Sequence, residues 1–589
     1  MRQFFKFLFA SMLGFILAMI VIVFIFVGIV AVAVGDSTSK EKVKIEENTI
    51  LQINFGDAVE DRAENNPFAN FSFSDMSSKS ELGLDDILKA IKYAKTDENI
   101  KAIYLDFQSI PAGFATIEEI RNALIDFKES KKPIYAYNEL FTQGSYYLNS
   151  IADKLYIHPQ GIIEVKGLGA QVMFYKGALE KLDIEPQIIR HGKFKSAVEP
   201  FMLDKMSEAN KLQTRSYMGS LWNFWKDGVA KARKVSSEQV QKIADDLSMS
   251  SAQNALSEKL VDGIKYKDEL LEEFKTLTGA ESIEKIKTVR LAKYIDAVDI
   301  KQDVTTDKIA VIYANGEIKD GEGSEHIIGG DRISKAVREA RLDKTVKAIV
   351  LRVNSPGGSS LASDLIWREV MLAKKVKPVI ASMGDVAASG GYYISCATNK
   401  IYSSPNTITG SIGVFGLMFS GEKLLKNKIG ISIDTVLTAK YGDFGSIYRP
   451  LSAYERDVIQ REVEKIYDDF IGKVAEGRKM TKAQVDSIGQ GRVWSGIDAK
   501  KIGLVDEFGG LDKAIAEAAK MANLKEYRLQ SLPKQKEPFQ AIIEELNGET
   551  STYFAKHFLG DEYVYYKRIK EITSQQGILM RMPYDVEIK

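Results

Sequence analysis

The chain of 589 residues nearly repeats itself at an offset of 246 positions (346 minus 100). The strand-like run IKAIYL, which begins at Ile100, returns as VKAIVL at Val346. Three further pairs of short motifs follow in the same order at almost the same spacing, starting at Lys132 and Lys377, at Tyr146 and Tyr392, and at Asp153 and Asn399. Four matches in one order indicate a duplicated unit, which constrains the architecture of a chain this long.

Each copy alternates strand-like and helix-like sequence. A short β-branched run is followed by a loop with Gly or Pro, by an amphipathic helix and by a second strand. The helices are predicted at residues 116–130 and 362–375, and the second strands are IYAY and VIAS. Further helices around 203–235 and 452–478 are expected to close each unit. The pattern predicts the α/β fold class, with duplicated β-β-α units in tandem.

One long apolar segment precedes the repeat. No charged residue occurs in the 27 positions from Leu8 to Val34, a length that as a helix exceeds the roughly 30 Å hydrocarbon core of a bilayer. A cleaved signal peptide is the alternative, because the triplet Ala31-Val32-Ala33 fits a cleavage site, but such peptides have apolar regions of only about 7–15 residues. We therefore predict an uncleaved N-terminal transmembrane helix over residues 8–34, although the flanking charges alone do not fix its orientation.

Composition limits the domain plan and the chemistry. We predict an anchor over residues 1–40, domains over 41–300 and 301–545 separated by the polar run KQDVTTD, and a tail over 546–589. Lys+Arg and Asp+Glu number 80 each, so no basic excess suggests nucleic acid as a partner. A single cysteine, Cys396, and four histidines make a cysteine-pair or histidine-rich metal site improbable. We expect no metal and no cofactor.

The two copies differ where chemistry would be expected. Gly357 and Gly358 in the second copy stand opposite Pro111 and Ala112 in the first, and proline removes a backbone N–H donor. Alignment on the tyrosine pairs sets Ser389 against Gln143, and further along Lys195 of the first copy faces Gly442. A duplicated fold keeps its packing in both halves but needs its chemistry only where a site is used. The differences therefore mark candidate site residues.

The candidate nucleophile is Ser389, which follows a strand and precedes two glycines at a predicted helix start. The Gly357-Gly358 turn could supply a second backbone donor for an oxyanion, although each motif alone is also typical of an ordinary tight turn. No histidine is well placed as a base, apart from His191 near Lys195. A lysine can act as the base if burial lowers its pKa, and apolar residues follow Lys195. Most lysines, however, are solvated surface groups.

These motifs resemble the long, two-domain form of the bacterial signal peptide peptidase A family. The similarity rests on AASGGYY after an SPGG turn, on GKFKSAVEPF in the preceding half and on the ending RMPYDVEI. It implies a ClpP/crotonase-like fold in tandem. By the same resemblance Ser389 is the nucleophile and Lys195 the general base. It also implies that Ser411 holds the lysine amine and that the amides of Gly357 and Gly390 form the oxyanion hole.

The resemblance implies a membrane-anchored serine endopeptidase that degrades remnant signal peptides and similar short hydrophobic peptides. It further implies a homotetramer in the bacterial inner membrane, with a single membrane pass and the catalytic domains on the periplasmic side. The expected partners are hydrophobic peptides and the membrane, without nucleic acid. Two alternatives remain open at this point, namely a crotonase-like acyl-CoA enzyme and a non-catalytic membrane scaffold.

Overall fold

The computed structural model describes residues 3–4, 6–7, 10–21, 44–56, 58–64, 71–72, 77–78, 82–298, 305–535 and 577–582. Residues 10–21 are helical and exposed. Across the described part of the chain, none of the helices combines the length and the apolar composition needed to cross a bilayer. Most of the predicted transmembrane segment, the predicted domain boundary and most of the predicted tail lie outside the described residues.

The strands in chain order are β1 (Thr49–Ile53), β2 (Phe71–Ser72), β3 (Ser77–Ser78), β4 (Ile100–Leu105), β5 (Ile134–Phe141), β6 (Lys154–Ile163), β7 (Glu185–Arg190), β8 (Gly263–Ile264), β9 (Thr288–Arg290), β10 (Lys308–Asn315), β11 (Glu317–Lys319), β12 (Gly323–Ser324), β13 (Ile327–Gly329), β14 (Val346–Ser355), β15 (Gly357–Ser359), β16 (Val379–Ala388), β17 (Lys400–Ser403), β18 (Ile408–Gly410), β19 (Phe415–Ser420), β20 (Val493–Ser495), β21 (Glu507–Phe508), β22 (Arg528–Leu532) and β23 (Gly577–Arg581).

The helices that follow residue 82 are α1 (Leu84–Thr96), α2 (Phe114–Phe127), α3 (Gln143–Asn149), α4 (Lys176–Lys181), α5 (Glu199–Met202), α6 (Glu208–Arg233), α7 (Ser237–Asp246), α8 (Ala252–Ser257), α9 (Lys267–Thr278), α10 (Leu291–Ala297), α11 (Gly330–Leu342), α12 (Ser360–Lys374), α13 (Gly390–Ser395), α14 (Ala453–Arg478), α15 (Lys482–Ile488), α16 (Gly496–Lys501) and α17 (Leu511–Met521). Short 3-10 turns cover Lys128–Ser130, Ser196–Val198 and Ile283–Lys285, and a π-turn covers Leu424–Ile429.

Each copy of the repeat forms its own largely parallel sheet. In the first half the strand order is β8-β6-β5-β4-β1-β9, and every pair is parallel. In the second half the order is β20-β18-β16-β14-β10-β22, and β17 and β21 extend it from β16. The central strands are buried on both faces, which explains their continuous β-branched sequences. The predicted alternation of strands and helices is confirmed in both halves.

A third sheet connects the two halves. Its strand order is β12-β13-β11-β15-β23-β19-β7, in which only β7 comes from the first half. Strand β7 pairs antiparallel with β19, with Arg190 opposite Phe415. The chain that leaves β7 is therefore placed beside the second half.

A cluster of buried ion pairs also links the two halves. The Arg352 guanidinium, which is 0% exposed, lies 2.7 Å from an Asp61 oxygen and 2.8 Å from a Glu119 oxygen, both in the first half. Asp385 of the second half accepts hydrogen bonds from the Ala115 and Thr116 amides, at 2.8 and 3.1 Å, at the start of α2. A buried charge of this kind is tolerated only when it is paired, so the cluster disfavours separation of the halves.

Candidate active site

Strand β7 and a buried turn position Lys195. The residue lies immediately before the turn Ser196–Val198, and its side chain is 0% exposed. Val198 and Phe201, which follow it, are buried against Phe415 of β19. The apolar sequence after the lysine thus encloses the amine, as the sequence predicts, and it does so together with residues of the other half.

Ser389 lies at the junction between β16 and α13. Its φ of 54° and ψ of −111° place it outside the usual regions for a non-glycine residue. The Ser389 amide donates to the Gly410 carbonyl at 2.8 Å, and the Ser389 carbonyl accepts from the Tyr393 amide at 2.9 Å. Backbone strain of this kind costs about 1–3 kcal/mol and clusters at functional sites. The junction holds the side chain at the start of a helix, pointing toward the first half.

The two side chains meet although 194 positions separate them in sequence. Lys195 Nζ is 2.9 Å from Ser389 Oγ, and it lies 3.1 Å from both the carbonyl oxygen and Oγ of Ser411. All three residues are 0% exposed. The structure thus brings together the predicted nucleophile, the predicted base and the serine predicted to hold the base.

Burial lowers the pKa of Lys195 well below its ordinary value, because a charged ammonium loses its hydration there. A neutral amine has two N–H donors and one lone pair. The two oxygens of Ser411 can accept the N–H groups, and the lone pair then faces the Ser389 hydroxyl. This is the arrangement that a general base requires.

The two predicted oxyanion residues lie next to each other. A side-chain carbon at Gly357, where φ is 101°, would fall 2.7 Å from the Gly390 amide nitrogen. A carbon at Gly390 would fall 3.2 Å from the Gly357 Cα. The Gly357 amide donates to Ser355 Oγ at 3.1 Å, so the amide of Gly390 is the better supported donor of the two. Only glycine fits the space beside it at position 357.

Gly357→Ala is expected to lower kcat/KM for peptide cleavage by about 100-fold, the usual effect of losing one oxyanion donor. The added carbon would crowd the Gly390 amide and would force alanine into a left-handed conformation. Steady-state kinetics provide the measurement. Gly430→Ala is the matched control, because Gly430 has a φ of 79° but no heavy atom within 4 Å of the added carbon. Equal activity losses in the two variants would contradict the role of the Gly357 site.

Comparison with known proteins decides the family. The family model described as peptidase family S49 matches residues 126–281 and 371–525, one range in each half, with Lys195 in the first and Ser389 in the second. The chain belongs to peptidase family S49. It is therefore a serine protease, as the sequence predicts, built from tandem domains of this family in an α/β fold.

Similar proteins support this membership. Protease 4 from Salmonella typhi is 40% identical over 477 residues, which cover 80% of this chain and 76% of the relative. The chloroplastic serine protease SPPA from Arabidopsis thaliana is 33% identical over 510 residues, covering 85% and 74%. A solved ClpP1 mutant from Listeria monocytogenes is 17% identical, with a TM-score of 0.24 over 35% of this chain and 94% of its own.

His191 and the positions that match Ser389 and Lys195 in the other copy do not join the cluster of Ser389, Lys195 and Ser411. His191 Nδ1 is 2.6 Å from Glu464 Oε2, and its ring stacks on Tyr467 at 3.8 Å. Lys193 is exposed. At the position that matches Ser389, Gln143 is 5% exposed and its side-chain oxygen accepts from the amides of residues 166 and 167. Gly442, at the position that matches Lys195, is exposed in a turn. Neither of these two matching positions therefore has a nucleophile or a base.

Two residues that position Lys195 are not apparent from the sequence. Gln213 on α6 is 1% exposed, and its amide nitrogen donates to Ser196 Oγ at 2.7 Å and to the Phe194 carbonyl at 3.1 Å. It thereby fixes the backbone on both sides of Lys195. Gly491 packs on the lysine itself, since a side-chain carbon there would fall 2.6 Å from the Lys195 Cα. Neither residue belongs to a motif, and only their contacts across the fold identify them.

Proposed function

We propose that Ser389 and Lys195 form the catalytic dyad of a serine endopeptidase that degrades short hydrophobic peptides, including remnant signal peptides. The observation that carries the proposal is the buried Lys195 amine, 2.9 Å from Ser389 Oγ. Membership in peptidase family S49 supports it independently. A crotonase-like acyl-CoA enzyme or a non-catalytic scaffold would have no use for this pair.

In the acylation step, neutral Lys195 accepts the proton of the Ser389 hydroxyl while Oγ attacks the scissile carbonyl carbon. The resulting oxyanion accepts hydrogen bonds from backbone amides, with Gly390 as the principal donor and Gly357 as the second. The Lys195 ammonium then gives the proton to the leaving amine, and the peptide C–N bond breaks. Ser411 keeps the amine directed at Ser389 throughout.

Deacylation uses the same groups in reverse. A water molecule attacks the acyl carbonyl while Lys195 accepts one of its protons, and the same amides stabilise the second oxyanion. When the ester bond breaks, Lys195 returns the proton to Ser389 Oγ. The enzyme ends in its starting state with a free carboxylic acid as product, so no cofactor is needed.

We further propose that the chain is anchored in the bacterial inner membrane by residues 8–34, with its catalytic domains on the periplasmic side. The uncharged sequence supports an anchor, and large apolar side chains of residues 12–21, such as Leu13 and Phe15, are 62% and 69% exposed. A site close to the bilayer would meet peptides that are left in it.

Assembly into a homotetramer is part of the same proposal. Apolar side chains are exposed along the segment 429–448, and Val436 reaches 95% exposure. An apolar stretch of this kind on a folded surface is typical of a protein or membrane contact.

A direct test uses the detergent-solubilised full chain with a synthetic hydrophobic signal peptide and, separately, a folded soluble protein as substrate. We expect cleavage of the peptide within its apolar core and no cleavage of the folded protein, because an extended backbone is needed to enter the site. Mass spectrometry of the products gives the cut positions. Absence of any peptide cleavage, or equal cleavage of the folded protein, would contradict the proposed substrate class.

A further inference from the structure

A cavity of about 460 Å³ lies between the two halves, at the place in the first half that matches the catalytic site of the second. Ala112 and Gln143, which line it, are the counterparts of Gly358 and Ser389. Its volume is within the range of roughly 300–1,000 Å³ that is usual for ligand pockets. The first half thus lacks the groups that would cleave a peptide but has a space large enough to bind one.

The walls of the cavity are mostly apolar and come from both halves. Besides Ala112, its apolar side chains are those of Ile110, Phe114, Ile117, Leu221, Val386 and Ile408. The charged groups described along the lining are already engaged. Lys166 pairs with Glu164 at 3.6 Å, and Asp385 accepts hydrogen bonds from the Ala115 amide and from the amide and hydroxyl of Thr116. A ligand of this cavity is therefore apolar and uncharged.

One polar group of the lining has no partner. Asn406, in the loop before β18, is 4% exposed, and among the described residues none forms a hydrogen bond with its side-chain oxygen. Its backbone amide donates to Ser404 Oγ at 3.2 Å, so the loop is held independently of the carboxamide. A buried polar atom without a partner lowers stability. A carboxamide both donates and accepts, and its complement is a peptide unit, with one N–H and one C=O.

We propose that this cavity binds an apolar segment of a peptide without cleaving it, and that the Asn406 carboxamide pairs with one of its peptide units. The choice of a hydrophobic peptide rests on the proposed function, because a substrate of that class has both the apolar side chains and the peptide unit. Leu221 and Ile408 also pack in a cluster with Ala388, which precedes Ser389. A long substrate bound in the cavity is thus held close to the dyad, which raises its effective concentration there.

Photo-cross-linking in the detergent-solubilised Ser389→Ala chain, in which no cleavage is expected, tests the location. The probe is an acetylated and amidated pentapeptide of alanine and leucine with a central p-benzoylphenylalanine. We expect cross-links in the tryptic fragments 102–121 and 216–226, which contain Phe114 and Leu221. The same peptide with phenylalanine at its centre, added in excess, should suppress them. Absence of cross-links from both fragments would overturn the proposal.

Gly144→Leu in the same chain fills the cavity. A side-chain carbon at Gly144, the second residue of α3, would lie 3.6 Å from Ile117 Cδ1 and 4.0 Å from Ile110 Cγ2, so it fits without a clash. We expect the yield of cross-links in the two fragments to fall about tenfold or more. Gly177→Leu is the matched control, because Gly177 is the second residue of α4 and its added carbon would meet no heavy atom within 4 Å. Equal yields in the two variants would contradict the site.

Asn406→Leu separates a peptide from any other apolar ligand, such as an acyl chain. Leucine keeps a similar volume but removes the carboxamide, so we expect the concentration of probe that gives half-maximal cross-linking to rise about tenfold. The melting temperature should not fall, because the polar atom that is removed has no partner. Unchanged binding would mean that the cavity accepts any apolar group, and would overturn the assignment to a peptide. If Gly144→Leu fails to fold, this variant carries the test.

Cleavage by the wild-type chain is measured separately. Because the cross-linking experiments use a chain without the nucleophile, they do not depend on turnover. If the wild type cleaves hydrophobic peptides and neither fragment is cross-linked, only the second binding site is refuted. If the fragments are cross-linked and the wild type cleaves no peptide, the proposed function has failed and the binding site stands.

Discussion

Lys195→Met is expected to reduce kcat/KM for peptide cleavage by about 10⁴-fold or more, because the only base within reach of Ser389 Oγ among the described residues is removed. Methionine approximates the length and apolar character of the lysine stem, so the fold should persist. Steady-state kinetics measure the loss, and a melting curve verifies folding. Lys193→Met is the matched control, since this lysine lies two positions away and is exposed.

The pH dependence separates a base from a structural lysine. Cleavage requires the neutral amine, so kcat/KM of the wild type should rise with pH through a pKa well below that of a free lysine, since burial lowers the pKa of Lys195. Lys193→Met should keep this profile. A wild-type rate that rises only near pH 10.4, the ordinary value for lysine, would contradict a neutral amine in the resting enzyme.

The same shift predicts how stability changes with pH. Between the lowered pKa of the folded state and the ordinary value of about 10.4, the unfolded chain binds a proton at Lys195 that the folded chain does not. The contribution of this residue to the free energy of unfolding therefore increases as pH rises through that interval. Lys195→Met has no such group, so denaturant titrations should show the free energy of unfolding of the wild type increasing relative to that of the variant as pH rises toward about 10.4.

Ser389→Ala is expected to reduce peptide cleavage by about 10⁴-fold or more, with substrate binding retained, because the attacking oxygen is lost while the backbone donors remain. A fluorophosphonate reagent, which phosphonylates activated serines with loss of fluoride, should label the wild type and leave this variant unlabelled. Ser395→Ala is the matched control, since Ser395 is also buried, lies on the adjacent helix and donates only to the Gly391 carbonyl at 2.7 Å among the bonds described.

The backbone at this serine offers a second readout. Because Ser389 has a φ of 54°, glycine should relieve strain that alanine cannot, and Ser389→Gly should be about 1 kcal/mol more stable than Ser389→Ala while equally inactive. Urea titration gives the difference. Labelling of Ser389→Ala at wild-type intensity, or normal turnover by either variant, would refute the assignment of the nucleophile.

Much of the site follows from comparing the two copies of the repeat. Gly357, Ser389 and Lys195 are identified because their counterparts, Pro111, Gln143 and Gly442, lack the same chemistry. The helix of the first copy was expected at residues 116–130, and the structure has α2 at Phe114–Phe127 followed by a 3-10 turn. Differences of this size at helix ends are ordinary, because terminal turns fray and tighten.

Long-range contacts, in contrast, have no local sequence signal. Gln213 supports Lys195 from the second turn of a 26-residue helix, and its residue type is equally typical of a solvated helical position. The ion pair of Arg352 with Asp61 joins positions 291 apart, and neither residue belongs to a motif. The pairing of β23 with β15 and β19 could not be predicted either, because GILMR is an ordinary short apolar segment.

The sequence by itself determined the fold class, the duplication and the candidate site residues, because periodicity and differences between copies are local properties of the chain. Only the tertiary structure decided that the amine and the hydroxyl meet at 2.9 Å, that burial lowers the pKa of the amine, and that β23 pairs with β15 beside Gly357. These properties depend on desolvation and on pairing between distant segments, which arise only when both halves pack together.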